Sequence, residues 1–219
     1  MAMRKMGLAR IAVMAVLTGL LLSGGQGLAQ ISNARDEGTA KRGYGDPLPE
    51  KQRDGSGPGG QTLTLVEAAQ SGGVAEARGA FLLGESVNSR DPRGKPALLI
   101  AAHAGNISVL RFLLEKEANP NLFEKATGKT ALIAAAERGD SAMLRILLDY
   151  KADPDHQDRQ GETALIKAAR IGDLQSVSVL LGAGLNVNLT DYAGHTALWH
   201  AMEARNTKIV QLIQTAGGS

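Results

Sequence analysis

Three short stretches of this 219-residue chain carry side chains at spacings that could do chemistry. Gly128-Lys129-Thr130 has the ending of a phosphate-binding loop, in which backbone N–H groups and a lysine cradle phosphates. That loop needs a glycine five residues before Gly128, where Phe123 stands, and a hydrophobic strand ahead of it, which is missing. Asp153-Pro154-Asp155-His156-Gln157-Asp158 offers oxygen donors for calcium, yet a hand-type loop needs glycine at Asp158 and glutamate at Ala164. It reads as a polar hairpin. His195 and His200 beside Trp199 suggest a zinc or base–nucleophile pair, but on one helix a spacing of five sets them about 140° apart, facing different ways. The expectation is a hairpin histidine at 195 and a helix histidine at 200. Paired carboxylates with apolar shielding, a nucleophile elbow and a Gly-rich dinucleotide turn are all missing. The chain has no cysteine, which removes thiolate metal sites, disulfides and a thiol nucleophile. No catalytic residue, metal site or cofactor is therefore expected.

The elements that hold these residues follow from a repeat. Leu65, Leu98, Leu132, Leu165 and Leu198 stand 33 or 34 residues apart, each followed three positions later by an alanine: Ala68, Ala101, Ala135, Ala168 and Ala201. Before four of them stand Lys95-Pro96-Ala97, Lys129-Thr130-Ala131, Glu162-Thr163-Ala164 and His195-Thr196-Ala197. Gly105, Gly139 and Gly172 come seven residues after their leucine. Leu-Leu pairs follow at 113–114, 147–148 and 180–181, and the units close on Asn88, Asn121, Asp155 and Asn188.

The pattern resembles the ankyrin repeat, a 33-residue unit of β-turn plus two helices with a Thr-Pro-Leu-His-x-Ala motif. The resemblance covers residues 61–215 and implies an all-α solenoid of about five helix-turn-helix repeats joined by short β-hairpin loops. The repeats fall near 61–90, 91–123, 124–157, 158–190 and 191–215, leaving 216–219 as a tail. Ala97, Ala131, Ala164 and Ala197 replace the family proline, and Leu99, Ile133, Ile166 and Trp199 its histidine, exchanging a hydrogen-bonding side chain for apolar contact.

Physical chemistry leads to the same unit. Thr130, Thr163 and Thr196 can cap a first helix with a hydroxyl, and small alanines then let that helix approach its neighbours closely. Gly139 and Gly172 allow the left-handed turn that ends it, and Asp140 and Asp173 can cap a second helix. Met143, Leu144, Leu147 and Leu148 recur at helical spacing as an apolar stripe that one unit cannot enclose, so neighbours must stack. Gly84 and Gly184 suit a left-handed position after helix two, whereas Glu117 and Lys151 occupy it in the middle repeats at about 1 kcal/mol. The first and last units depart from the pattern, with Arg205-Asn206 where a glycine is expected and Lys208, Gln211 and Gln214 following. Both read as caps with a solvated outer face.

Ahead of the repeats the composition changes. Met1 to Arg10 is basic, Ile11 to Leu22 is mostly apolar, and Ser23 to Ala29 is small and polar, the plan of a secretory signal. The apolar run of about a dozen residues is short for a span of about 20. Gly27 and Ala29 place cleavage before Gln30, giving a signal peptide at 1–29 and export to the bacterial periplasm. The alternative is an uncleaved anchor that tethers a structural or stress-protection protein to the inner membrane. Residues 30–60 are rich in Gly, Pro and mixed charge, the composition of a linker without a core. Arg4, Lys5 and Arg10 are three of the 24 basic residues; without them 21 face 22 acidic groups, a balance that calls for no nucleic acid.

The resemblance also implies a partner surface. Family members generally bind proteins through a concave side made of hairpin tips and first helices. Carried over by position, the contacts are Arg90, Arg93, Lys95 and His103 in the second repeat, and Lys129 and Glu137 in the third. The fourth supplies Gln157, Arg159, Gln160, Glu162 and Arg170, and the fifth Thr190, Tyr192, His195 and Glu203. An extra residue before Gly128 shifts the register, so Phe123 and Glu124 rank behind these. The expectation is a non-catalytic, monomeric, exported ankyrin-type protein that binds, scaffolds or stabilises an envelope protein and takes no small-molecule substrate.

Overall fold

The computed structural model describes residues 63–219. The expected signal peptide at 1–29 and linker at 30–60 lie outside the described residues. Among the described residues ten helices follow one another: α1 (Leu65–Ser71), α2 (Val74–Leu82), α3 (Ala97–Ala104), α4 (Ile107–Glu115), α5 (Ala131–Arg138), α6 (Ser141–Asp149), α7 (Ala164–Ile171), α8 (Leu174–Leu181), α9 (Ala197–Glu203) and α10 (Thr207–Thr215). Odd-numbered helices pack on one another in series, and the even-numbered ones form a second layer behind them. Three of the four hairpins between pairs are closed by single antiparallel bridges, Arg90–Pro96, Phe123–Thr130 and Thr190–Thr196. This is the all-α repeat solenoid that the family resemblance implied.

Each local signal has its structural counterpart. Thr130, Thr163 and Thr196 accept from the N–H of Ile133, Ile166 and Trp199 at 3.3–3.4 Å, starting α5, α7 and α9. Asp140 and Asp173 do the same for α6 and α8, accepting from Met143 and Ser176 at 2.9 Å. Ala101, Ala135 and Ala168 of the first helices are fully buried, because α3, α5 and α7 are each held between two others. Met143, Leu144 and Leu147 are equally enclosed.

The residues that close each repeat have a use that sequence spacing alone did not show. The side-chain oxygen of Asn88 accepts the N–H of Asn119 at 2.9 Å, Asn121 that of Asp153 at 2.8 Å, and Asp155 that of Asn186 at 2.8 Å. Asn188 takes Ser219 at 2.9 Å, so residues 216–219, expected as a tail, are tied into the ladder that joins the repeats.

Two glycines mark where hairpins meet. A Cβ on Gly128 would stand 2.9 Å from the backbone N of Arg159, and one on Gly161 would stand 2.8 Å from that of Tyr192. Glycine in Gly128-Lys129-Thr130 thus serves the contact between hairpins, and Thr130 serves the helix cap.

Glu117 and Lys151 adopt φ of 64° and 65°, the left-handed conformation that Gly84 and Gly184 take in the first and fourth repeats. Lys151 is exposed, so Lys151→Gly should stabilise the fold by about 0.5–1 kcal/mol, read as a rise in the urea midpoint at constant slope. A fall in midpoint would mean that contacts of the lysine stem outweigh the backbone gain.

The last repeat departs from the expected solvated cap. Lys208, Gln211 and Gln214 do face solvent on α10, but on α9 Trp199 is 40% and Met202 53% exposed. Their equivalents one repeat earlier, Ile166 and Ala169, are fully buried by the following repeat. The positions keep their interface character although no following repeat among the described residues covers them.

Candidate protein-binding face

The fifteen positions expected to meet a partner fall on the hairpins and odd-numbered helices, but their side chains do different things. Arg90 donates to the carbonyls of Gly94 and, one repeat on, Phe123 at 3.0 Å. Gln157 donates to Gly161 and to Thr190, again one repeat on, both at 2.8 Å. These two side chains, with the carbonyl of Thr190, stitch successive hairpins together. Their polar ends are committed within the chain.

A second group is committed by charge. Lys129 reaches Glu137 at 2.7 Å, and Glu137 also lies 3.2 Å from Lys167, a residue outside the expected set. Lys167 is only 3% exposed on α7, faces Asp158 at 3.0 Å and pairs with Glu162, which in turn pairs with Arg170. Glu162 was expected at the surface and is 6% exposed. It is buried because the two cations flank it.

The order of charges between hairpin and first helix reverses from Lys129–Glu137 in repeat three to Glu162–Arg170 in repeat four, and Lys167 bridges the reversal. Burial pushes the Lys167 ammonium down, but hydrogen bonds to Glu162 and Asp158 and the charges of both outweigh it and hold the group above its ordinary value. Glu137 is pushed up by burial and, more strongly, held down by the hydrogen bond and charge of Lys129 and by Lys167. The whole run of six groups is self-neutralising. Glu124, ranked behind the others in the sequence, is also buried, hydrogen-bonded to Thr127 and 3.7 Å from Lys95.

What remains available is narrower. Arg93, Arg159, Gln160, Tyr192 and Glu203 are exposed, Tyr192 by 77%, and Arg170, although paired with Glu162, keeps 47% of its side chain in solvent. Arg159 and Gln160 sit at one hairpin tip, and the N–H of Tyr192 donates to the Gln160 carbonyl at 3.0 Å, so an aromatic ring and a guanidinium are carried by adjacent, tied hairpins. In repeat two Arg93, Lys95 and His103 line a cleft of about 470 Å³ together with Asp91 and Ile100. His103 is held below its ordinary value by burial first and then by the charges of Lys95 and Lys129.

The fifth repeat overturns one geometric expectation. His195 and His200 do not face apart: His200 Nε2 lies 3.0 Å from Asp191 Oδ2, and His195 Nδ1 lies 3.8 Å from the same oxygen. The angle of about 140° holds only within one helix. His195 precedes the cap Thr196, so its backbone belongs to the hairpin and folds back over α9. Its ring lies flat on Trp199, centroids 3.6 Å apart with 9° between planes.

The fold is thus that of a repeat scaffold that carries exposed polar and aromatic side chains on its hairpins and first helices. A family model described as ankyrin repeats (3 copies) matches residues 65–158 and 151–218. The chain belongs to the ankyrin-repeat family, and its repeat region is a protein–protein interaction module. No curated protein matches the chain.

Proposed function

We propose that this protein is a non-catalytic binding module of the bacterial periplasm, exported by a cleaved signal at 1–29, which scaffolds or stabilises an envelope protein. The partner docks on the concave side through Arg93, Arg159, Gln160 and Tyr192, with Arg170 and Glu203 at the margin. The observation that carries this reading is Tyr192, a large amphipathic side chain left 77% exposed beside Arg159 and Gln160 while nearby polar groups are tied up internally. Tyrosine and arginine are the types that most often anchor interfaces. The neutralised run from Lys129 to Arg170 would form the floor of the interface, setting shape rather than net charge.

Affinity capture with the protein beginning at Gln30 tests the surface. An Arg93→Ala/Arg159→Ala/Tyr192→Ala variant should lose at least about tenfold in affinity for the captured partner while its circular dichroism stays unchanged. Retention of every partner by that variant would exclude this face. Intact mass of the exported protein tests the location: a start at Gln30 fits export, whereas a start at Met1 supports a membrane-tethered protein.

A further inference from the structure

Beyond protein docking, we propose that Asp191, His195 and His200 form a binding site for one divalent transition ion of the zinc class in the fifth repeat. One ligand atom from each residue lies within 4.8 Å of the other two. Around a tetrahedral ion bound at 2.0–2.1 Å, neighbouring donors stand about 3.3 Å apart. The separations of 3.0 Å and 3.8 Å from Asp191 Oδ2 to the two imidazoles lie on either side of that value. Two imidazoles and a carboxylate are a donor set that borderline ions accept, and it leaves a fourth position open.

Three local features prepare the site. Asp191 Oδ1 accepts the N–H groups of Ala193 and His195, each at 2.9 Å, which fixes the carboxylate and leaves Oδ2 turned toward the imidazoles. Trp199 holds the plane of His195 by stacking, and His200 is carried on α9. Asp191 and His200 are about 10% exposed at the side chain and His195 35%, so an ion has an entry on the His195 side.

The preceding repeat supplies an internal comparison. At the positions of Asp191, His195 and His200 it carries Asp158, Glu162 and Lys167, 33 residues earlier in each case. There the hairpin carboxylate faces a cation supplied by the chain, the Lys167 ammonium 3.0 Å from Asp158 Oδ2. In the fifth repeat the same cradle keeps the aspartate, puts the His200 imidazole where the ammonium stands and puts the His195 imidazole where Glu162 stands. A bound dication stands opposite the aspartate where the fourth repeat has the ammonium.

Trp199 is the one tryptophan of the chain, so its fluorescence reports directly on the ring stacked against it. Zinc titrated into chelator-treated full-length protein should bind in a single equivalent with a Kd on the order of 1 μM, changing Trp199 emission and giving the same stoichiometry by calorimetry. His200→Gln and His195→Gln should each weaken binding at least about tenfold, while His156→Gln leaves it unchanged. Cobalt bound in place of zinc should show the visible absorption of a four-coordinate ion. Circular dichroism of each variant separates loss of the site from loss of the fold. Absence of binding at about 100 μM zinc, or stoichiometric binding that survives the His195→Gln/His200→Gln double substitution, would overturn the proposal.

Discussion

Lys167→Met should lower the unfolding free energy by about 3–5 kcal/mol, because it removes the cation from three carboxylates that stay in place. Lys167 is 3% exposed and lies against Glu137, Asp158 and Glu162. Glu137 retains Lys129 and Glu162 retains Arg170, but Asp158 loses the group facing its Oδ2. Urea unfolding measures the loss, and Lys167→Met/Asp158→Asn should recover part of it, giving a coupling energy of about 1–3 kcal/mol.

The pH dependence follows from the two shifted groups. Lys167 is raised in the folded state, so its contribution is complete below about pH 10.4 and is lost as pH rises through the raised value. Glu137 is lowered, so its contribution is present above about pH 4.3 and is lost as pH falls through the depressed value. The difference between parent and variant should therefore be largest between about pH 5 and 10 and shrink on both sides. A difference below about 1 kcal/mol at pH 7 would show that the run of charges contributes little to the fold.

Leu147→Ala should cost about 3 kcal/mol, within the range of about 2–5 kcal/mol for deleting a buried leucine side chain. Leu147 is fully buried on α6, at the centre of the stack. Leu82→Ala makes the same chemical change at a side chain 83% exposed and should stay within about 0.5 kcal/mol of the parent. The comparison separates burial from composition. Repeats touch only their neighbours, so weakening the third should also uncouple the halves and broaden the urea transition. An equal loss at both positions would mean that Leu82 is covered in solution.

Much of this fold was legible in the sequence because its determinants are local. A threonine hydroxyl reaches an N–H three residues ahead, a glycine relieves its own backbone, and alanine lets the next helix approach; each depends only on residue type and spacing. Thr130, Thr163, Thr196, Asp140 and Asp173 could be assigned without coordinates for that reason, as could Glu117 and Lys151 at left-handed positions. The family resemblance placed the recognition surface on the hairpins and first helices. It could not say which of those side chains are free.

That distinction rests on partners a full repeat away or on another element. Arg90 meets Phe123 and Gln157 meets Thr190, each pair 33 residues apart, while Lys167 joins a charge from the repeat before it to two from its own hairpin. Lys167 carried one sequence signal, a lysine set between the apolar Ile166 and Ala168 of α7, and only burial among carboxylates explains it. His195 shows the same limit from the other side: the helical angle to His200 was sound geometry applied across a helix start. By itself the sequence determined the repeat unit, its caps and its order, since these are short-range backbone and hydrophobic requirements. Tertiary structure alone decided which charges neutralise one another, which polar groups stitch the hairpins, and that Asp191, His195 and His200 meet, because Coulombic and hydrogen-bond partners are chosen by distance in space.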